Sequence, residues 1–239
     1  MKRILVSFAL LAGITFCHGQ KILTVDFDRI RQQIADSSSP CFYPVLKEKF
    51  IRGDTSLSTK ALQCLYYGAS LTGDHTSTAA LGGNAAFQKQ LQAGQYREAV
   101  SLGQAMLRDD PVNIRVSYGM FVCYGKLGIE DSARLYAVRY YGLLSAIAAS
   151  GDGLSEETAM VVTSVPDEYD MIREAGYRPA GQSLLSGKWG HTDKMALQQD
   201  GQEEPKIPAL YFNVEMSFIR MRELLEGKLT LPSAPEPQK

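Results

Sequence analysis

Two short stretches of this chain repeat each other, and their spacing leaves few folds open. Gly94-Gln95-Tyr96-Arg97-Glu98-Ala99 returns as Gly128-Ile129-Glu130-Asp131-Ser132-Ala133, which places Gly94 and Gly128, and Ala99 and Ala133, 34 residues apart. A unit of this length is a helical hairpin. A glycine ends the first helix, a small alanine lets two antiparallel helices approach closely, and Pro111 stops the second helix. One such unit cannot bury its apolar face alone, so the flanking segments are expected to cap the pair.

Thirty-four residues is the tetratricopeptide period, and the reading places two such hairpins between residues 84 and 149. The flanks also read as helices. Phe27, Ile30 and Ile34 recur at helical spacing over Asp26 to Ala35, and Ser37-Ser38-Ser39-Pro40 ends that segment. Tyr43 to Arg52 follows, with Leu46 and Phe50 on one face. Ser58 caps a third helix, with Leu57 stapled to Leu62, and Tyr66-Tyr67-Gly68 closes it. Residues 72–83 read as a loop. The last helix of the array is long, from Glu130 to Ala149.

The pattern changes at Ser150-Gly151-Asp152-Gly153, where helical periodicity stops. Ala159 to Val165 is rich in β-branched residues and reads as a strand ended by Pro166. Asp167 then caps a short helix to Ala175. Residues 178–206 read as irregular turns holding an edge strand at Lys194 to Gln198. Leu210 to Val214 alternates as a further strand, and Met216 to Glu226 as a closing helix. The fold class is therefore mainly α with a small α+β part: tetratricopeptide-like helical hairpins followed by a small antiparallel sheet. The expected division is a signal peptide at 1–19, a helical array at 20–150, an α+β unit at 151–227 and a proline-rich disordered tail at 228–239.

The leader reading rests on Lys2 and Arg3 followed by the apolar run Ile4 to Phe16, too short to span a bilayer, with small residues before a cut near Gly19. The chain is then exported, periplasmic or extracellular. A lipid on Cys17 is disfavoured by the bulky Phe16 before it, and no later stretch is apolar and long enough to span. The formal net charge is −1 and becomes more negative once Lys2 and Arg3 leave, which gives no case for nucleic acid or an anionic membrane. Cys41, Cys64 and Cys123 remain, an odd number with none at metal-ligand spacing. One disulfide is compatible with an oxidising compartment. The simpler reading buries all three as small apolar side chains.

Several signatures together carry a resemblance: Leu65-Tyr66-Tyr67-Gly68, Ser150-Gly151-Asp152-Gly153-x-Ser155 with Thr158-Ala159, Asp167-Glu168-Tyr169, and Leu210-Tyr211-Phe212-Asn213-Val214. The chain resembles a family of secreted proteins, found mainly in Bacteroidetes, defined by a domain of unknown function. The resemblance covers nearly all of the mature chain and implies an exported protein with tetratricopeptide-like helices. It supplies no catalytic residue. The units depart from the tetratricopeptide pattern at position four, where Gly83 and Ser117 stand instead of an aromatic side chain.

The candidate binding residues are Tyr66, Tyr67, Asp152, Ser155, Asp167, Glu168 and Tyr169. Glycines on both sides of Asp152 would let a ligand or cation approach the backbone; a plain helix-to-strand turn explains the same residues, with Ser155 bonding locally. The turn lacks the alternating acidic ligands of an EF-hand. Asp167 and Glu168 sit where a helix dipole favours acids, and with Asp152 or Glu156 they would form a carboxylate pair for glycoside chemistry. His75 and His191 have no neighbours at metal spacing. His191, Asp193 and Ser155 could be assembled into a triad on paper, but no strained Gly-x-Ser-x-Gly turn presents a nucleophile. Tyrosines on the helices suit core packing, or peptide and glycan contact if they line a concave face. The expected function is a non-enzymatic protein- or peptide-interaction module of the cell envelope, with no cofactor, no metal and no catalytic residue assigned. The alternatives are a carboxylate-based glycan hydrolase or a glycan- or metal-binding accessory protein.

Overall fold

The structure is a computed structural model that describes residues 25–75, 80–201 and 204–226. The leader at 1–19 and the tail at 228–239 lie outside the described residues. Seven helices come first: α1 (Phe27–Ala35), α2 (Tyr43–Ile51), α3 (Thr59–Thr72), α4 (Ala80–Gln92), α5 (Tyr96–Asp109), α6 (Ile114–Leu127) and α7 (Glu130–Ala148). Their starts follow from local chemistry. Asp26 accepts from the N–H of Arg29 at 2.9 Å, Ser58 from Ala61 at 3.2 Å and Asn113 from Val116 at 3.0 Å, each satisfying a donor the helix itself leaves orphaned. The expected close of α3 at Tyr66-Tyr67-Gly68 is corrected: the helix continues to Thr72, because Gly68 lies inside it against Ile34 and Tyr43 rather than at a left-handed cap. The 72–83 loop is likewise shorter than expected, since α3 runs to Thr72 and α4 begins at Ala80; residues 76–79 lie outside the described residues.

The two repeated glycines do the same work. Gly94 and Gly128 have φ of +71° and +72°. In each case the next residue reaches back to close the preceding helix, Gln95 N–H to Gln90 O at 2.9 Å and Ile129 N–H to Tyr124 O at 2.9 Å. Behind these turns Ala99 and Ala133 are buried, and helices α4 to α7 share one apolar cluster around Phe87, Val116, Met120 and Tyr136. Phe87 fills a slot that two glycines leave open. A Cβ on Gly119 would stand 2.5 Å from its ring, and one on Gly103 would collide with Met120 and touch Phe87. Burying that ring contributes about 2–3 kcal/mol.

Beyond α7 come β1 (Met160–Val161), α8 (Val165–Glu174), β2 (Arg178–Gly187), β3 (Gly190–Gln198), β4 (Ala209–Asn213) and α9 (Glu215–Leu225). The strands form one sheet in the order β1-β4-β3-β2. Three expectations are corrected here. The sheet is mixed, because β1 runs parallel to β4 while β2–β3 and β3–β4 are antiparallel. The strand expected over Ala159 to Val165 is two residues long, since Val165 and Pro166 already open α8. Residues 178–206 are not irregular: they hold a long hairpin, and the segment Lys194 to Gln198 lies within β3, between β4 and β2 rather than at an edge.

A second, larger apolar cluster joins the two parts of the chain. It takes Leu46 and Phe50 from α2, Leu65 and Tyr67 from α3, Leu143 and Ile147 from α7, and Ile172, Met195, Phe212 and Val214 from the later elements. The core therefore runs through residue 150 without a break. Cys41 and Cys64 are joined in a disulfide that ties the start of α2 to α3, and Cys123 is free and buried. The reading of all three cysteines as apolar filler is corrected by that bond.

Candidate functional site

The described residues most able to carry chemistry gather where α3, the α5–α6 turn, the start of α8 and β3 meet. Tyr66 and Tyr67 are fully buried, with rings edge to face at 5.0 Å. Neither faces a groove. The Tyr67 hydroxyl donates to Val161 O at 3.0 Å. The Tyr66 hydroxyl donates to Asp167 Oδ2 at 2.5 Å and accepts from Thr163 N–H at 3.0 Å. Adjacent tyrosines on one helix thus fasten α3 to the β1–α8 connection.

Asp167 does not cap α8, as its position in the sequence suggests. Ser164 holds the N-cap place, without a side-chain bond, and Asp167 turns inward from the first turn onto Tyr66. Burial pushes its carboxyl up to about 6, although the charge of His75 and the Tyr66 hydroxyl pull the other way. The same burial, with the Asp167 charge added, drives the Tyr66 hydroxyl well above its ordinary range.

His75 follows α3. Its Nδ1 lies 2.9 Å from both oxygens of Asp110, and Asn113 Nδ2 donates to Asp110 Oδ2 at 3.2 Å. Burial opposes a charge on His75, but Asp110 outweighs it and lifts the imidazole above its usual value, with Asp167 adding to the lift and Arg220 opposing it. The Tyr66 and His75 rings are 6.4 Å apart. Sequence reasoning passed over this pair because Asp110 is 35 residues away; Asp110-Pro111-Val112-Asn113 at a helix stop is the signal that marks the turn.

Glu168 is buried, and among the described residues no N–H or O–H donor reaches either of its oxygens. It faces Asp193 of β3. Desolvation, with the charges of Asp193 and Asp167, pushes its carboxyl up to about 9. Gln182 of β2 lies over the pair, its Nε2 donating to Asp193 Oδ2 at 2.6 Å, and the exposed Tyr169 hydroxyl donates to Gln182 Oε1 at 3.4 Å. The neighbouring Asp170 is also buried, with Arg173 at 2.7 Å and Arg115 at 3.7 Å. Asp167, Glu168 and Tyr169 therefore do converge on one region, through Tyr66 on one side and Gln182 on the other.

Asp152 and Ser155 lie apart from it. Asp152 Oδ1 accepts from Leu154 N–H at 2.9 Å and from the Thr158 hydroxyl at 2.5 Å, and Ser155 Oγ accepts from Thr158 N–H at 3.3 Å. The turn is a closed local structure that also binds β4, through Tyr211 N–H to Gly153 O at 2.8 Å. His191 is in β3, not a surface loop. Its Nδ1 lies 2.7 Å from Glu215 and its ring stacks on Phe218. His191 bonds Glu215, Asp193 bonds Gln182 and Ser155 bonds Thr158, so the paper triad is not assembled. Among the described residues no three His, Cys, Asp or Glu side chains gather as a metal site.

Two surfaces border this network. A cleft of about 520 Å³ is lined by the start of α1, the end of α3 and one face of α9, with Arg220 donating to Ser70 O at its wall. On the other side lies the outer edge of β2. His191 turns its carbonyl to Val214 N–H, and Leu197 its N–H to Pro208 O, so the odd-numbered residues of β3 bond towards β4. Thr192, Lys194 and Ala196 then face β2, opposite Leu185, Ser183 and Gly181. By the alternation of an antiparallel ladder, Gln182, Leu184 and Ser186 turn their N–H and C=O groups outward. No further strand pairs with them among the described residues.

No helix among the described residues is long and apolar enough to cross a membrane. No curated protein and no solved structure matches the chain. The profile of a family described as Domain of unknown function (DUF4919) matches residues 28–222, a span that holds Tyr66, His75, Asp110, Asp167, Glu168, Asp193 and Arg220 and so the whole buried network. The chain belongs to the DUF4919 family.

Proposed function

We propose that this protein is a non-enzymatic interaction module of the cell envelope, exported after loss of the leader at 1–19, that captures a protein or peptide in extended conformation. The helices α4 to α7 serve as a tetratricopeptide-like scaffold, and the docking edge is β2. One observation carries the reading: Gln182, Leu184 and Ser186 present a row of outward backbone donors and acceptors on a ten-residue strand exposed on both faces. The partner that satisfies such an edge is another strand. Leu184, half exposed at 50%, offers that partner an apolar contact. The acids that a hydrolase would use favour the same reading, because Asp152 makes its bonds within its turn and Asp167 and Glu168 are buried.

The test is a display library of ten-residue peptides panned on the mature chain and on Leu184→Pro. Proline there removes an outward N–H and no bond to β3, a substitution that edge strands tolerate. Enriched peptides are expected to bind Leu184→Pro about five- to tenfold more weakly, the value of one hydrogen bond, and to bind Leu184→Ala with a smaller loss. Peptides that hold Leu184→Pro as tightly as the parent chain, or a library that yields none, would sink the proposal.

A further inference from the structure

Glu168 meets β3, the strand that carries β2, and its surroundings are chemically unusual. Both of its oxygens are buried without a donor, and the group it meets, Asp193, is an acceptor too. Two facing acceptors hold together only if one of them carries a proton. We infer that Glu168 and Asp193 share a single proton, and that this proton latches β3, and with it the β2–β3 hairpin, to α8, so that its loss loosens the hairpin from α8.

The charged groups on the surrounding elements do not supply an alternative clasp. The charges acting on Glu168 are those of Asp193 from β3 and Asp167 from its own helix. Arg115 of α6 and Arg173 of α8 are engaged with Asp170, and Arg178 at the start of β2 pairs with Asp200. On β3, His191 is held by Glu215 of α9, and Lys194 lies over the Tyr211 ring. On α3, Tyr66 is committed to Asp167, and His75 to Asp110. When the shared proton leaves, two like charges face each other in a buried site with no cation among the described residues to divide them, and separation is the available relief.

The hairpin is tied to α8 through both of its strands. The acid pair joins α8 to β3 and the Tyr169–Gln182 bond joins it to β2, whose remaining ties are the ladder to β3 and the Arg178–Asp200 pair. The direction follows from linkage. Glu168 is raised from 4.5 in the unfolded chain to about 9 in the folded one. The closed latch is therefore fully favoured below about 4.5 and is lost as pH rises through about 9. This inference does not depend on what the edge binds, since the hairpin titrates with or without a partner.

The chain contains one tryptophan, Trp189, and it stands in the β2–β3 turn, where its carbonyl accepts from Asn213 Nδ2. Its emission reports the hairpin. In the mature chain we expect a red shift through one transition between about pH 7 and 9.5, with unchanged far-ultraviolet circular dichroism. Glu168→Gln, whose amide donates to Asp193 at every pH, is expected to keep the low-pH emission throughout. Should that variant fail to fold, Asp193→Asn replaces it: its amide donates to an ionised Glu168 and holds the same closed emission. A transition shared by the variant and the parent overturns the latch, as does the absence of any transition, or loss of helix in the same step.

Discussion

The cluster between α4 and α7 and the junction between α3, α8 and β3 are both fully buried, yet they are held by opposite means. The first is packed by shape. Phe87 lies in a slot between Gly103 and Gly119, and Val116 and Met120 complete the cluster. The second is held by hydrogen bonds and protons: Tyr66 on Asp167, Asp110 on His75, Glu168 on Asp193. Apolar packing is indifferent to pH and tolerant of charge elsewhere. A network of buried acids makes stability a function of pH, because each carboxyl was desolvated to be there.

Three substitutions test that contrast. Phe87→Ala empties the glycine slot and should destabilise by about 3–5 kcal/mol. Urea unfolding at pH 4 and at pH 7 should give the same loss, and a loss that changes with pH would mean the two regions are coupled. Tyr66→Phe removes one hydroxyl and leaves Asp167 and the Thr163 N–H unsatisfied, at a cost of about 1–3 kcal/mol. Its loss should depend on pH. Asp167 is raised from 3.8 to about 6, so the stability tied to this group is full below about 3.8 and falls as pH rises through about 6. The hydroxyl moderates that fall by favouring the ionised carboxyl, so Tyr66→Phe should hurt more at pH 7 than at pH 4. Equal losses at the two pH values would show that the bond is merely local. Gly128→Ala is the smallest, about 1 kcal/mol. Its φ is +72° and a Cβ there meets nothing within 4 Å, so only the backbone conformation is charged for it. The same value at both pH values is expected from thermal melts.

The two regions also differ in how far they can be read from sequence. The helical pairs were legible because their cause is local: Ser58 caps α3 as its hydroxyl predicts, and Gly94 and Gly128 take the left-handed turn for which only glycine is unstrained. The junction was not. Helical spacing puts Tyr66 and Tyr67 on a helix but does not say that both are enclosed, since α8 and β1, about a hundred residues later, cover them. Asp167 reads as a cap from its place at a helix start, whereas it turns inward from the first turn of α8 onto Tyr66. β2 was invisible for a different reason. Both of its faces are exposed, so it lacks the alternation that marks a half-buried strand, and Pro179 and Gly181 read as turn residues although they lie at a bulge within the ladder. Asp152 and Ser155 did form the closed turn that their spacing allows.

The proton on Glu168 also changes how the molecule is counted as an ion. Composition assigns the chain a formal net charge of −1, with every carboxyl ionised. At neutral pH the unfolded chain obeys that rule, whereas the folded chain keeps Glu168 neutral. Folding therefore draws a proton out of solution, and unfolding returns it. The native chain should focus at a higher pH than the same chain in urea. The heat measured on unfolding should also vary with the ionisation enthalpy of the buffer, so a calorimetric enthalpy for this protein is a property of the protein and its buffer together.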